Sequence, residues 1–132
     1  MSKPISRKMH GLIADYPYIA FTAAAPELVG FKDEARAARL CRTLSGGVLA
    51  ASLLTRAEWG AYPAISFKTH LALDAASSVF AASAPWLFGF SANKRARNTF
   101  VALGIVGVVA GLLTQPKEMN AEESRRKFPH GD

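Results

Sequence analysis

Apolar positions along this chain run in blocks, and charged positions gather between them. Charges cluster at 1–8, 32–42, 56–68, 94–97 and 117–132. The blocks between are about 16–21 residues long, against the roughly 17–25 that cross a bilayer core. The clearest, TFVALGIVGVVAGLLT over Thr99–Thr114, carries no charge, and His70–Phe90 carries only Asp74. Ser45–Thr55 is uncharged and reaches spanning length by extending back through Leu40. Leu12–Phe31, which holds Asp15, Pro17, Pro26 and Glu27, is the weakest. Phe100–Leu113 has no polar stripe at helical period, and a helix apolar all round is either buried or in lipid. A short chain does not easily bury two such helices. The pattern therefore predicts an all-α protein, an integral membrane four-helix bundle.

The chain repeats itself. Shifted by 59 residues, Asp15 falls on Asp74, Phe21 on Phe80, Pro26 on Pro85 and Leu28 on Leu87. The same shift places Gly30-Phe31 on Gly89-Phe90, Arg36-Ala37 on Arg95-Ala96, and Leu53-Leu54-Thr55 on Leu112-Leu113-Thr114. Such matches of Asp, Pro, Gly-Phe and Arg in one register mark a true internal repeat. Each copy reads as helix, Pro-x-Leu-x-Gly-Phe turn, basic loop, helix and Leu-Leu-Thr stop. Pro26 and Pro85 suit a bend or an approaching helix end. Gly30 and Gly89 suit the left-handed conformation that finishes a helix. The expected organisation is one membrane domain over 1–132, with repeat one at 10–57, repeat two at 69–116, a basic segment 1–9 and a charged tail 117–132. Two helices per copy imply a pseudo-twofold axis along the membrane normal.

The segment Ser83-Ala84-Pro85-Trp86-Leu87-Phe88-Gly89-Phe90 resembles the SPW-repeat family of small bacterial membrane proteins, named for Ser-Pro-Trp in the first of two helices per repeat. The first copy reads Ala25-Pro26-Glu27-Leu28-Val29-Gly30-Phe31, with Glu27 in place of the tryptophan. The resemblance implies a four-helix integral membrane protein and no settled activity. On that reading Pro26, Gly30, Phe31, Pro85, Trp86, Gly89 and Phe90 form a motif at the membrane interface. Trp86, Phe88 and Phe90 at one end of the spans, with Trp59, Tyr62 and Phe67 at the other, read as aromatic belts. Gly107 and Gly111 make a GxxxG, and Gly46 and Gly47 head small-xxx-small pairs, so all four are expected at helix contacts.

Four polar residues are the site candidates. Asp74 follows His70 by four residues, so both face one side of a helix. Asp15 follows His10 by five, one residue out of register. The favoured reading makes both aspartates caps near helix starts, where Asn would replace Asp at little cost. The sharper one makes Asp15 and Asp74 a proton relay or ion site across the pseudo-axis. Haem through His10 and His70 is disfavoured, since both sit at the outer ends of their spans. A two-His, two-Asp metal cluster is disfavoured as well, since the spacing is merely that of neighbouring helix turns. No cofactor, metal or catalytic residue is therefore expected.

Charge and composition narrow the classes. The 132 residues carry a formal charge of +6 and are half apolar, which excludes a disordered chain. Lone Cys41 excludes an intrachain disulfide and a cysteine zinc site. Asp15 and Pro17 interrupt what would be the apolar core of a signal peptide, so cleavage is not expected. The basic residues are not interleaved with stacking aromatics, which argues against nucleic acid and for anionic lipid headgroups as partners. The tail from Asn120 reads as a solvated helix or a loose end. A slight excess of Lys and Arg beside the termini places them in the cytoplasm, with the protein in the cell (inner) membrane. The functional expectation is a non-enzymatic scaffold or accessory subunit of a larger membrane complex, or a homo-oligomer. The alternative is an oligomeric transporter, channel or proton-relay component using Asp15 and Asp74.

Overall fold

A computed structural model describes residues 3–130, so the outermost residues of the basic segment (1–2) and of the tail (131–132) lie outside it. Five helices account for most of the rest. Helix α1 runs continuously over 7–30 in four stretches: an α-turn Arg7–Met9, a π segment His10–Asp15, an α-helix Tyr16–Ala25 and a second π segment Pro26–Gly30. Helices α2 (Ala35–Leu53), α3 (Phe67–Leu87) and α4 (Lys94–Leu113) follow, then a short α5 (Ala121–Lys127). The order α1–α2 and α3–α4 reproduces the repeat. Ala35 and Lys94, which open α2 and α4, are related by the same shift that superposes the sequence.

The turns obey local chemistry twice over. Phe31 N–H donates to the Pro26 carbonyl and Phe90 N–H to the Pro85 carbonyl, each at 2.9 Å. Each such bond spans five residues and closes a helix whose proline cannot donate. The next residue back is a glycine in the left-handed region in both copies, Gly30 at φ 90° and Gly89 at φ 73°, where a Cβ would be strained. Phe31 and Phe90 then turn inward and are almost fully buried. They join a core of paired small residues, Ala25 with Ala84 and Ala37 with Ala96, together with Cys41 and Phe100. The alanines let the helices approach closely, and Phe90 meets Phe100 edge-on at 5.1 Å.

Both chain ends and the 54–66 connection share one end of the bundle. Ile5 pairs with Thr114, and Ile65 with Thr55, as parallel bridges. Ser6 caps α1 by accepting from Met9 N, and Ser66 caps α3 by accepting from Thr69 N. The Glu118 carboxylate accepts from Phe67 N and Lys68 N at 2.9 and 2.8 Å, placing an anion at the positive end of α3. The tail forms α5, opened by a capping box between Asn120 and Glu123. Arg7 ties these parts together through Glu58 at 2.7 Å and Glu123 at 3.4 Å.

The four-span expectation is corrected by this structure. Among the described residues, one helix, Lys94–Leu113, is long and apolar enough to cross a membrane. Helix α2 carries Arg36, Arg39 and Arg42 within its length, and α1 is interrupted by two π segments. The bundle closes instead on buried polar side chains, His10, Asp15 and His70 among them. Cell-membrane location, cytoplasmic termini and lipid headgroups as partners rested on four spans and fall with them. So do the membrane scaffold, the complex subunit or homo-oligomer, and the transporter, channel or proton-relay component. The aromatic belts fall too, since Phe67 and Phe90 are buried in the bundle. The outer faces of α3 and α4 do present large apolar side chains, Val79, Trp86, Ile105 and Leu112 among them.

Candidate metal centre

The two histidines reach equivalent places because α1 contains a π segment. In an α-helix, residues four apart lie on one face; in a π turn the spacing is five. Tyr16 N–H donates to the Gly11 carbonyl, five residues back. The extra residue between His10 and Asp15 is absorbed there, and His10 regains the relation to Asp15 that His70 has to Asp74. Before the π segment the copies correspond at a shift of sixty, as Ile5 with Ile65, Ser6 with Ser66 and His10 with His70. After it they correspond at 59.

Each imidazole is then held by a threonine from the opposite repeat. His10 Nδ1 lies 2.8 Å from Thr114 Oγ1, and His70 Nδ1 lies 2.9 Å from Thr55 Oγ1. Each threonine hydroxyl already donates to a carbonyl one turn back, Thr114 to Ala110 and Thr55 to Ala51. A hydroxyl has one proton, so each Oγ1 accepts from the imidazole, and each Nδ1 carries the hydrogen. The tautomer is thereby set, and both Nε2 atoms face inward.

Four close approaches join them to the carboxylates. His10 Nε2 is 3.0 Å from Asp15 Oδ1 and 3.0 Å from Asp74 Oδ2. His70 Nε2 is 2.9 Å from Asp15 Oδ2 and 3.1 Å from Asp74 Oδ2. One ligand atom from each of the four residues lies within 4.8 Å of every other. His10 Nε2 makes a hydrogen bond to Asp74. Buried His70 Nε2 has no hydrogen-bond partner of acceptable angle despite its two near oxygens. Burial pulls the His10 imidazole down, and hydrogen bonds and charge from Asp15 and Asp74 outweigh it, leaving a pKa raised to about 9. At His70 burial again pulls down, and the closeness of the Asp15 and Asp74 carboxylates outweighs it, raising the pKa to about 10. For Asp15, burial pushes the carboxyl up, but the two imidazoles more than reverse this and hold it below its usual range.

Aromatic side chains pack around the cluster. Phe67 stacks on His70 with centroids 5.9 Å apart and meets His10 edge-on at 5.7 Å. Trp59 lies against Gly11 so closely that a Cβ there would come within 2.5 Å of its ring. The Trp59 indole donates to the Lys8 carbonyl at 2.9 Å, and Tyr16 donates to the Trp59 carbonyl at 2.7 Å. The 54–66 connection is thus pinned over the cluster.

The family model of the SPW repeat domain matches residues 14–114. The chain belongs to the SPW-repeat family. No curated protein and no solved structure matches it. In this SPW-repeat chain the aspartates are not helix-start caps. Ser6 and Ser66 cap those helices, Asp15 makes no capping bond, and Asp74 lies two turns inside α3. His10, Asp15, His70 and Asp74 cluster although their spacing is merely helical, because the fold brings the two pairs together. The two imidazole rings meet edge-on with centroids 5.6 Å apart, so no porphyrin fits between them.

The remaining candidate residues lie elsewhere. The Pro-x-x-x-Gly-Phe turns sit at the opposite end of the bundle from the cluster, with Pro26 and Pro85 buried and Trp86 exposed. Of the four candidate packing glycines, Gly107 faces Ser78, whereas a side chain on Gly46, Gly47 or Gly111 would meet nothing within 4 Å. Gly104, not singled out by sequence, packs on Ala82 and the Ser78 carbonyl. Sequence reasoning also missed Thr55 and Thr114 as histidine partners. The repeated Leu-Leu-Thr was visible, but as a helix stop.

Proposed function

We propose that this SPW-repeat protein is a non-catalytic metal-binding protein that holds one divalent transition-metal ion with His10, Asp15, His70 and Asp74. The single observation carrying the reading is the pair of imidazoles oriented by Thr55 and Thr114, each aiming Nε2 at both carboxylates. Metal-ligating histidines characteristically donate their other N–H to a fixed acceptor, which sets ring orientation and tautomer. Dimensions support it. Donors bound tetrahedrally at about 2.0–2.1 Å lie roughly 3.3 Å apart, within a few tenths of the 2.9–3.1 Å separations of the unliganded groups.

Charge supports it too. Two carboxylates and two neutral imidazoles neutralise one dication, as two imidazoliums neutralise the carboxylates when protons occupy the cluster. Two nitrogen and two oxygen donors suit Zn²⁺ or Co²⁺ better than the all-oxygen preference of Mg²⁺ or Ca²⁺. Four protein donors favour a holding site over an open catalytic one.

The test is titration of the purified chain with Zn²⁺ and Co²⁺, followed by dialysis and elemental analysis. One ion per chain is expected, with tetrahedral Co²⁺ absorption. His10→Ala and His70→Ala should each abolish stoichiometric retention. Retention by a folded double variant, or none by the wild-type chain, overturns the reading.

A further inference from the structure

The two histidine–threonine pairs are secured by equivalent backbone clasps. In the first copy Ile65 N–H donates to the Leu54 carbonyl and Arg56 N–H to the Ile65 carbonyl, each at 2.9 Å. In the second, Ile5 N–H donates to the Leu113 carbonyl at 3.0 Å and Gln115 N–H to the Ile5 carbonyl at 2.8 Å. Ile5 corresponds to Ile65, and Leu113 and Gln115 to Leu54 and Arg56, so one bonding motif is made twice. Each clasp fixes the threonine at its centre, Thr55 beside His70 and Thr114 beside His10.

The clasps differ in what backs them. Residues 55 and 65 belong to one short connection held at both ends by α2 and α3, whereas residues 5 and 114 meet by contact alone. In the connection, Ala61 and Tyr62 N–H also donate to the Leu53 carbonyl at 2.7 and 2.9 Å, and Ala64 N–H to the Leu54 carbonyl at 3.0 Å. Among the described residues, Leu112, the counterpart of Leu53, receives no such bond. Pro4 stands where the first copy has Ala64 and has no N–H to give. Polar side chains take over this task. Gln115 Nε2 donates to the Lys3 carbonyl and Arg7 to the Lys117 carbonyl, each at 2.7 Å and exposed. Segments secured by few and exposed backbone bonds open at the lowest free energy.

We propose that the cluster opens on one side only: the clasp of residues 3–7 with 113–117 is a gate for the metal ion, and His10 is the ligand that swings. The ion's passage rests on the metal reading; the one-sided opening does not. The π segment supplies the second state. Gly11 lies four residues before Asp15, so with ordinary α spacing over 10–15 Gly11 takes the face that His10 holds. His10 is then carried about 100° round the helix, away from Thr114 and both carboxylates. His70 stays stacked on Phe67 with Thr55 behind it. Arg7, one turn before His10, is the latch, since it ties the moving segment to Glu58 in the connection and Glu123 in the tail. Opening also gives up the bond from the Trp59 indole to the Lys8 carbonyl.

The equivalent clasps are each other's control. Amide hydrogen exchange in the full chain compares Ile5 and Gln115 with Ile65 and Arg56, and zinc release is followed from the loaded chain to excess chelator. Corrected for intrinsic rates, Ile5 and Gln115 should exchange at least about tenfold faster than their counterparts, with and without zinc. Arg7→Gln, which leaves all four ligands in place, should speed zinc release at least about tenfold while one ion per chain is still bound. Pro4→Ala restores the donor that Ala64 provides and should slow both Ile5 exchange and zinc release about threefold; it decides the matter if Arg7→Gln does not fold. Equal exchange of the two pairs, unchanged zinc release in Arg7→Gln, or release in Pro4→Ala no slower than in the wild-type chain overturns the proposal. A chain that takes up no zinc refutes the metal reading instead, and the four amides of the metal-free chain then decide by themselves whether this side opens.

Discussion

Metal uptake by the His/Asp cluster should release two protons. The threonine contacts keep Nδ1 protonated on both rings, so a metal displaces the Nε2 proton of each. The raised pKa values, about 9 for His10 and about 10 for His70, mean that both rings are charged near neutrality. At pH 7.5 a group of pKa 9 is about 97 % protonated and one of pKa 10 is more than about 99 % protonated. Asp15, held below its usual range, contributes no proton. The expected release is therefore close to about two protons per ion, and the apparent affinity should rise about 100-fold per pH unit between roughly pH 5.5 and 8. Calorimetric titration of Zn²⁺ in buffers of different ionisation enthalpy reads the proton count, and a pH series reads the slope. His10→Ala should reduce the release to about one proton if residual binding persists. Release of less than one proton by the wild-type chain would refute the doubly charged state of the two rings.

Four further outcomes follow from the same geometry. Stability of the metal-free chain should depend on pH in a defined direction. The raised histidines contribute stability fully below their unfolded pKa of 6.5 and lose it as pH rises through about 9 and 10; Asp15 contributes above 3.8 and loses it on acidification through its lowered value. Denaturant midpoints should therefore be higher at pH 6 than at pH 10, and the reverse order would contradict the charged cluster. Asp15→Asn should cost about 3–5 kcal/mol, as expected for breaking a buried ion pair, where a helix-cap role would cost only a few tenths; urea unfolding separates the two. Thr114→Val, which leaves the His10 Nδ1 hydrogen without its acceptor, should weaken Zn²⁺ about 10–100-fold, measured by chelator competition. Gly89→Ala at φ 73° should lose about 1–2 kcal/mol without changing metal affinity, and an unchanged melting temperature would refute the strain argument.

Much of the architecture is legible in the residues themselves. A shift of 59 relates Pro26 to Pro85, Gly30-Phe31 to Gly89-Phe90 and Leu53-Leu54-Thr55 to Leu112-Leu113-Thr114, and the helices and turns follow that register. Such features depend on neighbours along the chain: a proline lacks its N–H, a glycine admits positive φ, and a run without breakers makes a helix. The membrane reading failed because a window of apolar residues reports composition, whereas the interior is defined by which helix faces meet. Alanines and phenylalanines of the two copies meet there, and so do histidines and aspartates.

The site was half visible. His70 and Asp74 share a helix face by spacing alone, and Asp15 is the repeat mate of Asp74. His10 lay one residue out of register, and that offset was the trace of the π segment. No residue type demands a π turn, because its cost is recovered only where distant groups gain from it. Here the gain is the contact of His10 with Asp15, five residues on, and with Asp74 and Thr114, more than sixty residues away along the chain. Periodicity therefore settled which residues share a helix face, while the packing of one repeat against the other decided that two histidines, two aspartates and two threonines form a single centre.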